Sequence, residues 1–197
     1  MILEKMNHRW IYAKCPEVGE YLYYVDCDLV VTRKQRLNDC RRDKRLEKML
    51  LEQSTDRYIL SIYYTSIYPN KKMLEKIVRL SKGSYRVAFL FSLKKACLDR
   101  NRKDHFDYLV KCVIKYFGHD PEILVSAYCD LHDDRIIKAL LKHKNAIKQW
   151  YDLTTFCYVP EVIEAIRTSN HPERNRYWAA CRRWGIREKS NDIRICC

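Results

Sequence analysis

The chain has 197 residues, with 38 lysines and arginines against 25 aspartates and glutamates, which gives a formal net charge of +13. Hydrophobic residues make up 47% of the sequence, which is enough for a folded domain with a buried core and excludes a disordered tail. Only 4 glycines occur, and they form neither a GxGxxG nor a GxxxxGK[ST] pattern, so glycine-rich phosphate-binding fingerprints are excluded. This composition predicts helices joined by short polar turns.

Residues 1–40 form an N-terminal segment that differs from the rest of the chain. The stretches 10–15 and 21–31 are rich in β-branched and aromatic residues and flank a turn at 16–19 that contains proline and glycine. This pattern is typical of a β-hairpin. The second stretch is equally compatible with the inner helix of an atypical first repeat, so both alternatives stay open.

Residues 41–169 contain a recurring amphipathic pattern. Five segments have apolar residues at intervals of three and four, which predicts helices with one buried face. Their equivalent positions are spaced 28, 36, 27 and 26 residues apart and are Leu46, Leu74, Val110, Ile137 and Ile163. More apolar segments alternate with them at 58–68, 86–97, 123–129 and 147–157. We therefore predict at least four helix pairs of about 27 residues, with an insertion near residues 98–105, whose neighbours bury a shared core.

One of these pairs, residues 117–143, resembles an ankyrin repeat. A Gly118-x-Asp120-Pro121 turn precedes an inner helix that ends in Cys129, and an outer helix of the Ile-Ile-Lys-x-Leu-Leu-Lys-His kind follows. The resemblance is degenerate over residues 57–168, because no inner helix starts with Thr-Pro-Leu-His and the spacing is shorter than the ankyrin period of about 33. It is closest to the divergent ankyrin-like stacks of large DNA viruses.

The fold class that this resemblance implies is an all-α solenoid of degenerate ankyrin-like helix pairs, with an atypical N-terminal segment and a C-terminal capping helix. Another two-helix repeat and a non-repeating helical bundle are the alternatives. The expected domains are the N-terminal segment 1–40, the helical repeats 41–169, and a basic cap and tail at 170–197.

The C-terminal segment predicts a terminal helix that covers the end of the stack. An apolar stripe runs along it, formed by Tyr177, Trp178, Cys181 and Trp184. Gly185 is expected to end this helix. The chain ends in Cys196-Cys197, which is similar to the doubly prenylated end of Rab-type GTPases, but no other part of the sequence resembles a GTPase. Whether this pair is modified stays open.

The cysteines and histidines do not form a recognisable metal or catalytic motif. The ten cysteines include no CxxC pair, so we expect thiols packed as small hydrophobic groups. Cys129, His132 and the pair Asp133-Asp134 are close in sequence, but zinc needs four converging ligands and Cys129 ends a core-facing helix. Either aspartate is more simply an N-cap of the outer helix. We expect no metal, no cofactor and no enzymatic activity.

The predicted function is a non-enzymatic protein-interaction module. Its binding surface would lie along the inner helices and the turns that follow them, with affinity from a few aromatic or arginine anchors. The candidate contact residues are Tyr68, Asn70, Arg100, Arg102, Lys103, His132, Asp133 and Tyr158. The viral resemblance implies a host signalling or antiviral protein as the partner, which the module would bind and block.

The basic residues favour an alternative function, the binding of RNA or DNA. Residues 32–48 hold eight lysines and arginines against three acids, and residues 171–197 hold seven against three. Solvated helix faces and polar caps are one explanation of these clusters, and an electropositive nucleic-acid footprint is the other. The candidate residues for that footprint are Arg33, Lys34, Arg36, Arg41, Arg42, Arg45, Arg174, Arg176, Arg182 and Arg183.

No run of 18 apolar residues occurs, which predicts that the chain has no transmembrane segment. Residues 1–8 carry charges where a secretory signal needs an apolar core. We therefore expect an intracellular protein, located in the cytoplasm with the nucleus as a second compartment. The sequence does not indicate an oligomeric state.

Overall fold

The computed structural model describes residues 9–15, 19–25, 31–36, 44–55, 57–67, 69–82, 87 and 89–185. The chain divides into two compact units, residues 1–112 (unit 1) and residues 113–197 (unit 2). From Lys44 onward the described elements are all helices, as the composition predicts. None of these described helices combines the length and the low polarity that a membrane crossing needs.

Unit 1 begins with a three-stranded antiparallel sheet. Its strands, in spatial order, are β1 (Arg9–Cys15), β2 (Gly19–Val25) and β3 (Val31–Arg36). Tyr23 lies opposite Ile11 on one side and opposite Lys34 on the other. The strands form because this segment is rich in β-branched and aromatic residues. The hairpin alternative is therefore the one found here, and the prediction of an all-α chain holds for the helices from Lys44 but not for this segment.

The helices of unit 1 follow the predicted segments closely. They are α1 (Lys44–Gln53), α2 (Arg57–Ile62), the π-helix Tyr63–Ile67, α3 (Lys71–Leu80), α4 (Leu90–Asp99) and the first part of α5 (Lys103–Phe117). Helix α3 packs against α1 and α2, and the π-helix packs against α4. Their core includes Tyr63, Tyr64 and Met73, all fully buried. Much of the predicted insertion at 98–105 is helical, because α5 already begins at Lys103.

Unit 2 contains the end of α5 and five further helices. They are α6 (Pro121–Leu131), α7 (Asp134–Leu140), α8 (Ile147–Phe156), α9 (Pro160–Thr168) and α10 (Arg174–Gly185). Helix α6 packs against α7 and α8, and α8 packs against α9, so two helix pairs stand side by side. Helix α10 packs against both α8 and α9 and buries Tyr177 and Cys181 of the predicted stripe.

Contacts between the helices of unit 2 join residues that lie one repeat apart. Near the start of α8, the Gln149 amide lies 3.5 Å from the carboxylate of Glu122, 27 residues earlier. At the other end, the thiols of Cys129 and Cys157 share a hydrogen bond. Helices α6 and α8 therefore run in the same direction. Packed helix pairs with a repeat offset are the coarse architecture that the sequence predicts, and the likeness to ankyrin stays an expectation.

Candidate protein-interaction surface

The C-terminal ends of α6 and α8 bring exposed aromatic side chains to one edge of unit 2. Phe156, the last residue of α8, is 68% exposed, and Tyr158 in the turn that follows is 45% exposed. Tyr128 and His132 end the neighbouring helix α6, with their rings in an edge-on arrangement and 5.7 Å between centroids. We call these four residues the aromatic edge.

The first turn of this edge is fixed by its own backbone and by a side-chain cap. His132 ends α6 in the left-handed region, with φ 50°, and its N–H donates to the Tyr128 carbonyl over 2.7 Å. Histidine is one of the few residue types enriched in this conformation. Asp133 is the N-cap of α7 and accepts from the Arg135 N–H over 3.0 Å. Its carboxylate also binds the Arg135 guanidinium through two hydrogen bonds of 2.8 Å.

The second turn is held in place from both sides. The N–H of Cys157 donates to the Leu153 carbonyl over 2.9 Å and closes the last turn of α8. Val159 is 3% exposed and anchors the other side of the turn, and Pro160 then starts α9. Proline suits this first helical position because its φ is already helical and it needs no N–H partner there. Tyr158 therefore lies between two fixed points of the backbone.

Cys129, which contacts Cys157 between the two turns, is a protonated thiol at neutral pH. Burial, with a smaller contribution from its neighbour Cys157, raises the pKa of Cys129 to about 12. Burial also raises the pKa of Tyr128, helped by Cys157, Asp134 and Glu161. A protonated thiol is a poor metal ligand and a poor nucleophile. Within the described part of the chain, no three cysteine, histidine or acidic side chains gather in a group that could hold a metal ion.

The other predicted contact residues lie in unit 1, and two of them hold local structure. Asn70 is the N-cap of α3, accepts from the Lys72 N–H over 2.8 Å and donates to the Glu47 carboxylate. Arg100 donates to the Thr65 carbonyl over 2.6 Å.

The other predicted contact residues of unit 1 are Arg102, Lys103 and Tyr68. The Arg102 carbonyl accepts the first hydrogen bonds of α5, and Lys103 is an exposed residue at the start of that helix. Tyr68 lies outside the described residues. Of the predicted contact residues that the structure describes, His132, Asp133 and Tyr158 are therefore the ones that lie at the aromatic edge.

The basic residues proposed to bind nucleic acid are divided between the two units. Arg33, Lys34 and Arg36 lie on β3, and Arg45 lies in α1. Arg41 and Arg42 lie outside the described residues.

The other arginines of this set, including Arg183, lie in α10. Arg174 donates to the Arg167 carbonyl over 2.8 Å. Arg176 binds the Glu173 carboxylate over 3.2 Å and lies over the ring of Tyr177. Arg182 is exposed.

Unit 1 contains a buried polar network that the sequence analysis did not predict. The Tyr64 hydroxyl lies 3.1 Å from Sγ of Cys97 and 3.0 Å from Nδ1 of His105, and forms a hydrogen bond with each. Burial raises the pKa of both Tyr64 and Cys97 and lowers that of His105. All three groups are therefore neutral near pH 7, which is the opposite of an activated thiolate. Tyr64 lies 33 residues before Cys97 and 41 residues before His105, so no local sequence pattern pairs it with either residue.

Comparisons with protein-family models, with curated proteins and with solved structures find no match for this chain. Its function is therefore argued from its own residues.

Proposed function

We propose that the chain is a protein-interaction module that binds its partner through the aromatic edge of unit 2. The observation that carries this proposal is the exposure of Phe156 and Tyr158 on a fixed helical frame. Aromatic side chains bury a large area at a low cost in side-chain entropy, and they dominate the binding energy of many protein interfaces.

The frame beneath these rings supports the proposal. Helix α8 buries Trp150 and Leu153 in the core of unit 2, so the backbone position of Phe156 is fixed before a partner binds. A preformed surface loses less conformational entropy on binding than a flexible one. The turn at His132 and Asp133 is equally constrained by its cap. Both turns therefore hold their backbones in a defined arrangement.

The repeat offset between α6 and α8 supports the finer proposal of a degenerate, ankyrin-like solenoid. Following that resemblance, we propose that the module acts inside a host cell and blocks a signalling or antiviral protein by binding it stoichiometrically. Turns at the ends of stacked helix pairs form the kind of extended surface that repeat proteins use for such binding.

The test is a comparison of two variants with matched chemistry. F156S/Y158S removes the two exposed rings of the edge, and F91S removes an equally exposed ring from α4 in unit 1. We expect proteins from host-cell lysate that bind the wild type to bind F91S as well and to be lost with F156S/Y158S. Thermal unfolding followed by circular dichroism checks that both variants are folded. Retention of every bound protein by F156S/Y158S would contradict the proposal.

Nucleic-acid binding is a second candidate function, favoured by the exposed Arg176 and Arg182 of α10. The test is binding of generic RNA and DNA across a salt series. Phosphate contacts predict an affinity that falls steeply between about 50 and 200 mM salt. An absence of binding at low salt would remove this candidate.

A further inference from the structure

We propose that the aromatic edge receives a cationic segment of the partner, a stretch with lysine or arginine side chains on either side of an apolar residue. This inference rests on the proposed function and names the chemistry of the partner that the same surface takes.

The charge around the aromatic edge is opposite to that of the whole chain. Residues 128–134 and 152–164, which form the two turns and their flanks, contain six acidic residues and no lysine or arginine. The chain as a whole carries an excess of 13 positive charges. Arg135 and Arg167 lie just beyond these ranges and neutralise two of the six carboxylates. The excess of acidic residues that remains attracts cationic groups.

Two of the six carboxylates are available to a partner. Asp134 and Glu161 lie in the first turns of α7 and α9, both are exposed, and neither forms an ion pair with a described residue. The carboxylates of Asp133 and Glu164, by contrast, already bind Arg135 and Arg167. Asp134 lies two residues after His132, and Glu161 lies three residues after Tyr158, so each carboxylate follows one of the two turns of the edge on a different helix.

A cationic segment can interact both with the aromatic rings and with the carboxylates of this surface. A guanidinium placed on the ring of Phe156 or Tyr158 gains a cation–π interaction, and such a group also forms paired hydrogen bonds with a carboxylate. The apolar residue between the basic ones covers the ring that remains exposed. An acidic or neutral segment would leave Asp134 and Glu161 without a counter-charge.

The experiment measures binding of labelled peptides to the full chain by fluorescence anisotropy. One 12-residue peptide alternates arginine with leucine and tryptophan, a second has serine in place of each arginine, and a third has glutamate. The chain variants are D134N/E161Q, F156S/Y158S and, as the control, E122Q. Glu122 also lies in a first helical turn, but at the opposite end of α6, so E122Q reproduces the loss of a helix-start carboxylate.

We expect the arginine peptide to bind the wild type and E122Q equally, and both other peptides to bind at least about tenfold more weakly. D134N/E161Q is expected to lose about two- to thirtyfold in affinity for the arginine peptide, because two exposed ion pairs are lost and each contributes modestly. Raising the salt concentration from 50 to 300 mM should weaken the wild type more than D134N/E161Q.

Equal affinity of D134N/E161Q and the wild type would overturn the inference, and so would equal binding of the serine peptide. Either result, with binding still lost in F156S/Y158S, leaves the proposed function standing on its apolar contacts. The proposed function itself fails separately, when F156S/Y158S keeps every lysate partner of the wild type. The two failures are thus read from different variants.

Discussion

The two ends of the helix pair α6 and α8 differ in the side chains that they expose to solvent. At their C-terminal ends, the aromatic edge leaves Phe156 and Tyr158 exposed. At their N-terminal ends, polar groups are bound internally. Asp120 caps α6 by accepting from the N–H groups of Glu122 and Ile123, over 3.0 and 3.1 Å.

Further contacts fix the N-terminal edge of unit 2. The His143 ring donates from Nε2 to the Gly118 carbonyl over 2.7 Å, and the Trp150 indole donates to the Leu140 carbonyl over 3.2 Å. An open concavity of about 480 Å³ lies here, with Lys142 and Lys144 in its lining. This difference fits the proposed division of roles, in which the N-terminal edge stabilises the helix pair and the aromatic edge binds a partner.

The largest expected effect separates two aromatic residues of the same helix. Trp150 is 5% exposed and Phe156 is 68% exposed. W150A should lower the free energy of unfolding by about 3–5 kcal/mol, because it leaves a cavity and removes one of the two hydrogen bonds that the Leu140 carbonyl accepts. F156A should change it by less than about 0.5 kcal/mol. Urea denaturation measures both values. Similar losses in the two variants would contradict the division of roles.

A smaller effect is expected where backbone geometry differs between the edges. A Cβ added at Gly118 would collide with the Ile114 carbonyl oxygen, so G118A should lower the free energy of unfolding by about 2 kcal/mol. At the aromatic edge, His132 already holds a positive φ of 50°, which glycine adopts without strain. H132G should therefore leave the melting temperature unchanged or slightly raised. A melting temperature of H132G as low as that of G118A would show that the His132 side chain stabilises the fold.

The smallest expected effect concerns pH and the cysteine that joins the two turns. The pKa of Cys129 is raised from 9.0 to about 12 in the folded chain. Above pH 9 the thiol ionises in the unfolded chain but not in the folded one, so unfolding is favoured as the pH rises from about 9 to 12. The wild type should lose more stability than C129A between pH 8 and pH 10.5, as measured by urea denaturation at each pH. Parallel losses in both proteins would show that Cys129 is not the group responsible.

The sequence predicts the helices well because each needs only a local pattern. Apolar residues at intervals of three and four identify α3 and α9, and the N-cap of α7 is Asp133, one of the two aspartates predicted for that position. The π-helix Tyr63–Ile67 leaves no such signal. Phe156 was not predicted as a site residue, because it lies in an apolar inner segment and its exposure depends on where α8 ends.

Long-range partners were equally beyond prediction from the sequence. Asn70 and Arg100 lie in turns, as a contact residue would, but their side chains bind Glu47 and the Thr65 carbonyl, 23 and 35 residues earlier. Tyr64, Cys97 and His105 meet only because the helices of unit 1 pack together. A pattern in sequence thus places residues on helices and in turns, whereas the choice of partners depends on the packing.

The most direct test of the aromatic edge is site-specific photo-crosslinking in cultured cells. The photoreactive residue benzoylphenylalanine replaces Phe156 in one variant and the exposed Lys144 at the N-terminal edge in another. A partner bound at the aromatic edge predicts a crosslinked species from position 156 that is absent from position 144 and disappears when Y158S is added. Crosslinking of the same species from position 144 alone, or equally from both positions, would contradict the assignment of the binding surface.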